Sequence, residues 1–249
     1  MAATRRRAGV PRELGVGGYA RVDVDRDRRT GVPEVILGEG KSPAHLVGIL
    51  YALARAGREA FVSRPTAAQR RAVQREATLW NRLVEHADGR LWRIAGRRSQ
   101  APLRGTAAVL TAGTADVPLA EEAVAILEAE GARVPRAYDV GVAGVHRLLR
   151  ALRRIERQRP KVYLVFAGRE GALPTVVAGL VRAPVVGVPT SVGYGRGGRG
   201  EAALLAMLQS CAPVAVVNID AAVPAALFAV QLLRGGDRRP AKLFDGPRD

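Results

Sequence analysis

Cysteine occurs once in the 249 residues, as Cys211, which excludes an intrachain disulfide and any metal site built from several thiolates. Aromatic residues make up only 4% of the chain, which leaves little material for stacking bases. Lysine is scarce: of 39 basic residues 36 are arginine, and only Lys41, Lys161 and Lys242 are lysine. No apolar run approaches the roughly 18 residues that a membrane-spanning helix needs. The start, "MAATRRRAGVPRELG", is basic but lacks the apolar stretch of a secretory signal. The expectation is a soluble cytoplasmic protein. No loop carries the dinucleotide fingerprint or the Walker A lysine loop.

What remains is apolar and basic. Hydrophobic residues are 48% of the chain, and its length allows a full core, as one large domain or a large plus a small one. The net charge is +16, split as +11 over residues 1–104 and +5 over 105–249. The arginine skew, with alanine and glycine also abundant, fits biased codon composition as well as selected phosphate contacts. A basic surface also draws anionic small molecules, and with so few aromatics nucleic acid is the weaker expectation.

Residues 1–18 are polar, Arg- and Gly-rich, and read as a mobile tail. A small α/β domain is expected over 19–100. It holds a strand at 32–38, a helix at 41–57 capped by Ser42 with Pro43 at N1, a strand "EAFVSR" at 59–64 and a helix at 66–81 capped by Thr66. The linker "AGRRSQAPLRG" (95–105) closes it.

Over 105–236 strands and helices alternate. Strands are expected at 106–113, 133–141, 161–168, 183–190 and 213–220. Helices are expected at 117–131, 145–158, 172–181, 201–210 and 221–234, the first with Gly131 past its end. The strands lack polar alternation, so both faces should be buried, and five β-α repeats of this kind mean a doubly wound parallel sheet. Residues 237–249 form a short tail.

In such a sheet, ligands bind beyond the carboxyl ends of the strands. The five loops there are "TAGTAD" (111–116), "YDVGVAG" (138–144), "AGREGALP" (167–174), "VPTSVGYG" (188–195) and "NID" (218–220). Their glycines allow close backbone approach to an anion, and the helices that follow present N-termini suited to phosphate. Ordinary βα turns would have a similar composition. Three carboxylates fall on this rim: Asp116, which also fits a helix cap, Asp139, and Glu170, flanked by Gly168 and Gly171. His146 fits a surface or capping role as well as a ligand contact; His45 and His86 lie in the small domain without a metal-like grouping. Cys211 ends the helix 201–210, at the amino edge of the fifth strand, where the negative end of a helix disfavours a thiolate. By composition and topology it is a buried structural thiol; a nucleophilic role needs a cationic substrate, a nearby arginine or the rim of another subunit.

The motifs "RGTAAVLTAGTADVPLAEEA", "YDVGVAGVHRLL", "VFAGREGALPTVVAGLV", "VPTSVGYG" and "LLAMLQSCAPVAVVNID", with "GVPEVILGEGKSP" nearer the start, together resemble the LarB family over about residues 30–234. These are pyridinium-3,5-biscarboxylic acid mononucleotide synthases, which begin the synthesis of the nickel-pincer nucleotide of lactate racemase. The carboxyl part is also similar to the PurE class of aminoimidazole ribonucleotide carboxylases. The resemblance implies a PurE-like, flavodoxin-like three-layer sandwich. It implies nicotinic acid adenine dinucleotide as substrate, carboxylated at C5 of the ring with release of AMP, and carbon dioxide or bicarbonate as co-substrate. It implies no tightly bound cofactor, with magnesium compatible with a pyrophosphate substrate. It also implies a homo-oligomer, commonly an octamer, with sites between subunits.

By the same resemblance Cys211 is the nucleophile, Glu170 transfers the C5 proton, and Asp139 orients substrate or makes a second transfer. The residues expected to contact substrate are Gly113, Thr114, Asp116, Gly141, His146 and Gly168. Pro189, Thr190, Ser191, Gly193, Tyr194, Gly195 and Asn218 complete that set, and none is assigned to a metal. The chain departs from the family at Ala115, at "RGGRG" (196–200), where Arg196 and Arg199 stand, and at Ala221, Ala222 and Val223. Alternatives are a PurE-like carboxylase or mutase acting on another nucleotide, such as aminoimidazole ribonucleotide, and an Arg-rich nucleic-acid-binding protein. A flavin module shares the fold class, but its loops would carry more aromatics.

Overall fold

The computed structural model describes residues 13–97 and 100–235, which fall into two compact units. The tail expected at 237–249 and the first twelve residues of the one expected at 1–18 lie outside the described residues.

The first unit opens with a hairpin of β1 (Glu13–Val16) and β2 (Ala20–Asp23), in antiparallel register from Glu13 opposite Asp23 to Val16 opposite Ala20. Residues 13–18 are therefore ordered, not tail. Gly17 and Gly18 both take the left-handed backbone that a tight hairpin turn requires, with φ of 52° and 74°. Leu14 and Val16 alternate with exposed neighbours and pack on the core. A short helix α1 (Arg26–Thr30) ends at Gly31, and β3 (Glu34–Leu37), α2 (Pro43–Arg55) and β4 (Ala60–Ser63) follow as expected. Ser42 caps α2, its hydroxyl accepting the His45 amide at 3.1 Å.

The helix expected over 66–81 is two, α3 (Ala67–Gln74) and α4 (Ala77–Trp80). Glu76 leaves helical geometry between them, and its carboxylate accepts the Tyr51 hydroxyl at 2.5 Å. Thr66 and Gln69 form the capping box of α3. Two strands absent from the sequence expectation, β5 (Leu83–His86) and β6 (Leu91–Ile94), complete a sheet of order β3-β4-β6-β5. In it β3 and β4 are parallel and β4 and β6 antiparallel. Its core packs Leu46, Leu50 and Leu53 of α2 with Val62, Trp92 and Ile94 of the strands.

The second unit runs β7 (Ala107–Thr111), α5 (Val117–Ala129), β8 (Arg136–Ala137), α6 (Val145–Glu156), β9 (Val162–Ala167) and α7 (Ala172–Ala178). Then come β10 (Val185–Pro189), α8 (Glu201–Leu208), β11 (Val214–Val216) and α9 (Ala222–Arg234). The five strands are parallel in the order β11-β10-β9-β7-β8, the doubly wound arrangement of the flavodoxin type. Helices α5 and α9 pack together on one face, while α6, α7 and α8 bury Leu148, Leu152, Leu173, Val177 and Met207 against the other. The result is a three-layer α/β sandwich. Every residue of β7, β9 and β10 is buried, which accounts for their unbroken apolar runs.

The two edge strands are shorter than the sequence suggests. At β8, Pro135 has no amide to donate and Asp139 turns the chain at φ 54°, so only Arg136 and Ala137 pair fully. At β11 pairing covers Val214–Val216, and Asp220 turns away at φ 56°. Phe166 lies fully buried at the centre of the sheet. Phe166→Ala should lower the unfolding free energy by about 3–5 kcal/mol through lost burial and a residual cavity, read as a shifted urea midpoint by circular dichroism.

Candidate active site

The carboxyl ends of β7, β9, β10 and β11 bring their loops together, and one buried carboxylate ties the β7 loop to the β10 loop. After β7, residues Thr114–Asp116 make a single 3-10 turn into α5. The Asp116 side chain folds back, and one oxygen accepts the Gly113 amide at 2.8 Å. Its other oxygen accepts the Thr190 hydroxyl at 2.6 Å. Thr190 follows β10, so this bond reaches from the β7 loop to the β10 loop across the end of β9. Asp116 is 3% exposed and Thr190 1%. Burial pushes the Asp116 carboxyl above its usual range, the Thr190 and Gly113 hydrogen bonds pull it back, and the charge of Asp220 adds to the upward push.

The end of β9 makes room for this bond. A Cβ on Gly168 would stand 2.1 Å from the Val192 carbonyl oxygen and 2.8 Å from the Thr190 hydroxyl. Arg169 donates its amide to Val192, and Gly171 donates to Gly168, so the "GREG" turn is tight, with Arg169 and Gly171 both left-handed. This turn leaves the Glu170 side chain exposed. Arg169 lies over the Tyr194 ring at 4.8 Å and donates to its hydroxyl at 3.0 Å, which holds one of the most exposed aromatics of the chain above the rim.

Asp139 leaves β8 with its amide bonded to the Thr111 hydroxyl at 3.1 Å and its carboxylate on Arg147 at 2.5 Å. Gly141 donates to the Ala112 carbonyl, and a Cβ there would lie 2.7 Å from that oxygen, so only glycine fits the crossing. His146, at the start of α6, is exposed. Pro189 closes β10 inside the sheet, while Ser191, Gly193, Tyr194 and Gly195 are exposed in the loop beyond it. The Ser191 amide donates to Asp220 at 2.8 Å, and Asn218 takes the Ile219 amide at 2.8 Å.

The structure thus gathers the expected residues of the β7, β9, β10 and β11 loops, and through Thr111 the β8 loop, on one edge of the sheet. It does not bring Cys211 among them. Cys211 is exposed between α8 and β11, at the edge where β10 and β11 begin, with Val214 opposite Val185. It lies about 20 Å of extended chain from Asn218. The expectation of an amino-edge position holds, and that of a buried thiol does not. Asp220, Arg147 and Arg169 take part in the rim without having been singled out from the sequence; only the position of Asp220 at the end of "NID" hinted at it. Among the described residues, no group of three or more His, Cys, Asp or Glu side chains is arranged to hold a metal ion. Also among them, no helix is long and apolar enough to cross a membrane.

Two measurements test the brace. Thr190→Val removes the donor to a buried carboxylate and should cost about 1–3 kcal/mol of unfolding free energy, read by urea denaturation. Because the Asp116 pKa is raised on folding, its contribution to stability is fully present below the unfolded value and is lost as pH rises through the folded one. The stability of the parent relative to Asp116→Asn should therefore fall as pH rises from about 4 and level off once the folded carboxyl is ionised.

Residues 106–244 match the AIR carboxylase family, and residues 13–95 match a LarB/PurE-like N-terminal domain. An uncharacterized protein of Methanocaldococcus jannaschii is 38% identical over 216 residues, covering 84% of this chain and 82% of its own. The N5-carboxyaminoimidazole ribonucleotide mutase of the same organism is 33% identical over 137 residues, covering 54% of this chain and 82% of its own. A solved PurE2 variant of Treponema denticola superposes with a TM-score of 0.42 at 22% identity, covering 54% of this chain and 89% of that one. The chain, carrying its own amino-terminal LarB/PurE-like domain, belongs to the AIR carboxylase family.

Proposed function

We propose that this protein carboxylates the pyridinium ring of nicotinic acid adenine dinucleotide at C5 and hydrolyses the phosphoanhydride, releasing AMP and pyridinium-3,5-biscarboxylic acid mononucleotide. The observation that carries this reading is the pairing of domains on one chain. The mutase of Methanocaldococcus jannaschii matches only 54% of the sequence, whereas the LarB/PurE-like domain accounts for residues 13–95. The exposed Cys211 supports it, because a family member working on an aminoimidazole needs no thiol.

In this mechanism the Cys211 thiolate adds to the electron-poor pyridinium and converts it to a neutral dihydropyridine. The enamine carbon C5 attacks carbon dioxide, forming the new C–C bond. Glu170 takes the C5 proton, and the electron pair left behind expels the thiolate and restores the aromatic ring. The balance is one carbon dioxide consumed and one proton released. Water then cleaves the phosphoanhydride to give AMP. The positive ring supplies the charge that the helix end beside Cys211 withholds.

Cys211 and Glu170 stand at opposite ends of the strands, so one copy supplies the thiol to the rim of another, within a homo-oligomer of the size the family resemblance implies. Carbon dioxide or bicarbonate is the co-substrate. Asp139, held by Arg147, orients the substrate beside Glu170.

The identity with N5-carboxyaminoimidazole ribonucleotide mutases favours a second reading, a PurE-like reaction on an aminoimidazole nucleotide. Mass spectrometry of the products from nicotinic acid adenine dinucleotide, magnesium and bicarbonate separates the two. AMP with a dicarboxylated mononucleotide, lost in Cys211→Ala, supports the first reading; an unchanged dinucleotide with turnover of the aminoimidazole supports the second. Sharing of sites gives a further expected outcome. Cys211→Ala and Glu170→Gln proteins, each inactive, should regain up to about a quarter of parental turnover when unfolded and reassembled together, because mixed interfaces hold one intact site. No regain would place both groups within one copy.

A further inference from the structure

At the β8 edge of the second unit a cleft of about 380 Å³ lies between the strand and α6. Its floor is small and apolar, with Ala137, Val140 and Ala151 nearly buried. Its walls are guanidinium groups: Arg136, Arg147, Arg150 and Arg154. Two of these are already matched. Arg147 holds Asp139 at 2.5 Å, and Arg136 bonds to Glu128 and stands 3.5 Å from Glu121. The Tyr138 hydroxyl also donates to Glu121. The nearby carboxylates are thus committed, and among the described residues Arg150 and Arg154 have no ion pair or hydrogen bond.

Arg150 and Arg154 are four residues apart on one face of α6, where like charges repel. The negative end of the helix accounts for a cation in the last turn, such as Arg154, but not for Arg150 one turn earlier. Two unmatched planar forks facing one concave space suit a phosphate, whose oxygens accept paired N–H bonds from guanidinium. The apolar floor suits the less polar remainder of a small ligand and gives nothing to a bare backbone of repeating charge.

We propose that this cleft is a phosphate-binding site for a small phosphorylated molecule, a nucleotide or a diphosphate, with Arg150 and Arg154 as its ligands. The site is separate from the rim residues assigned to the reacting ring. Arg147 stands between the two, lining the cleft while it holds Asp139.

Isothermal titration of the full-length protein with AMP, inorganic pyrophosphate and adenosine tests this. AMP or pyrophosphate should bind, with affinity that falls as salt rises, and adenosine should not. The double variant Arg150→Gln, Arg154→Gln should weaken that binding at least tenfold, with an unchanged melting temperature showing that it is folded. Cys211→Ala should bind as the parent does, so failure of the carboxylation reading leaves this site standing. Equal binding by the double variant, or no binding of either phosphate at millimolar concentration, overturns the proposal. A single-stranded RNA that binds the parent more tightly than either phosphate, and is lost in the double variant, overturns it too and assigns the face to nucleic acid.

Discussion

The Thr190 hydroxyl and the Asp116 carboxylate meet above the end of β9, and the rest of the rim is arranged around that bond. It joins loops 74 residues apart in the chain. It requires that nothing project from Gly168, because the Thr190 hydroxyl and the Val192 carbonyl occupy the space a side chain would need. It also requires a tight turn after Gly168, and that turn sets Glu170 outward. A carboxyl group 3% exposed is costly to bury, and here both of its oxygens have donors. Asp220 repeats the device on the next loop, taking the Ser191 amide, so the β10 loop is fixed from both sides.

The sheet was legible because its central strands are buried on both faces and so carry no polar interruption. The edge strands were overestimated for the complementary reason. They are only partly buried, and the segments 133–141 and 213–220 continue past the last paired residues, Ala137 and Val216, into loops where Asp139 and Asp220 take left-handed backbone. In the first unit, "LVEH" and "LWRI" are only four residues each and carry Glu85 and Arg93; "LWRI" pairs with the buried strand β4, and "LVEH" lies beyond it at the edge of the sheet. The hairpin of residues 13–23 was written in the Gly-Gly turn but masked by the arginines and glycines around it.

The candidate site was legible in its loops and not in its bonds. Glycines after strands mark a rim, and Gly168 and Gly141 are there because backbone oxygens crowd them. That Asp116 faces Thr190 depends on strand order, which no local pattern specifies, and the local pair of Asp139 with Arg147, eight residues on, depends on the turn between β8 and α6. Topology alone did place Cys211 at the far edge, and the fold keeps it there, exposed at the end of α8. The thiol stands at one edge of the sheet and the rim carboxylates at the other.

The left-handed residues of the second unit have a further consequence. Asp139, Arg169 and Asp220 are not glycine, yet each takes a φ between 48° and 56° in a loop that leaves a strand on this rim. Each such residue costs about 1–2 kcal/mol relative to an ordinary conformation. Glycine at these positions would relieve the strain and surrender the side chain. The rim therefore sets strain against anchoring: the glycine replacements that relieve the backbone remove the groups that pin its loops.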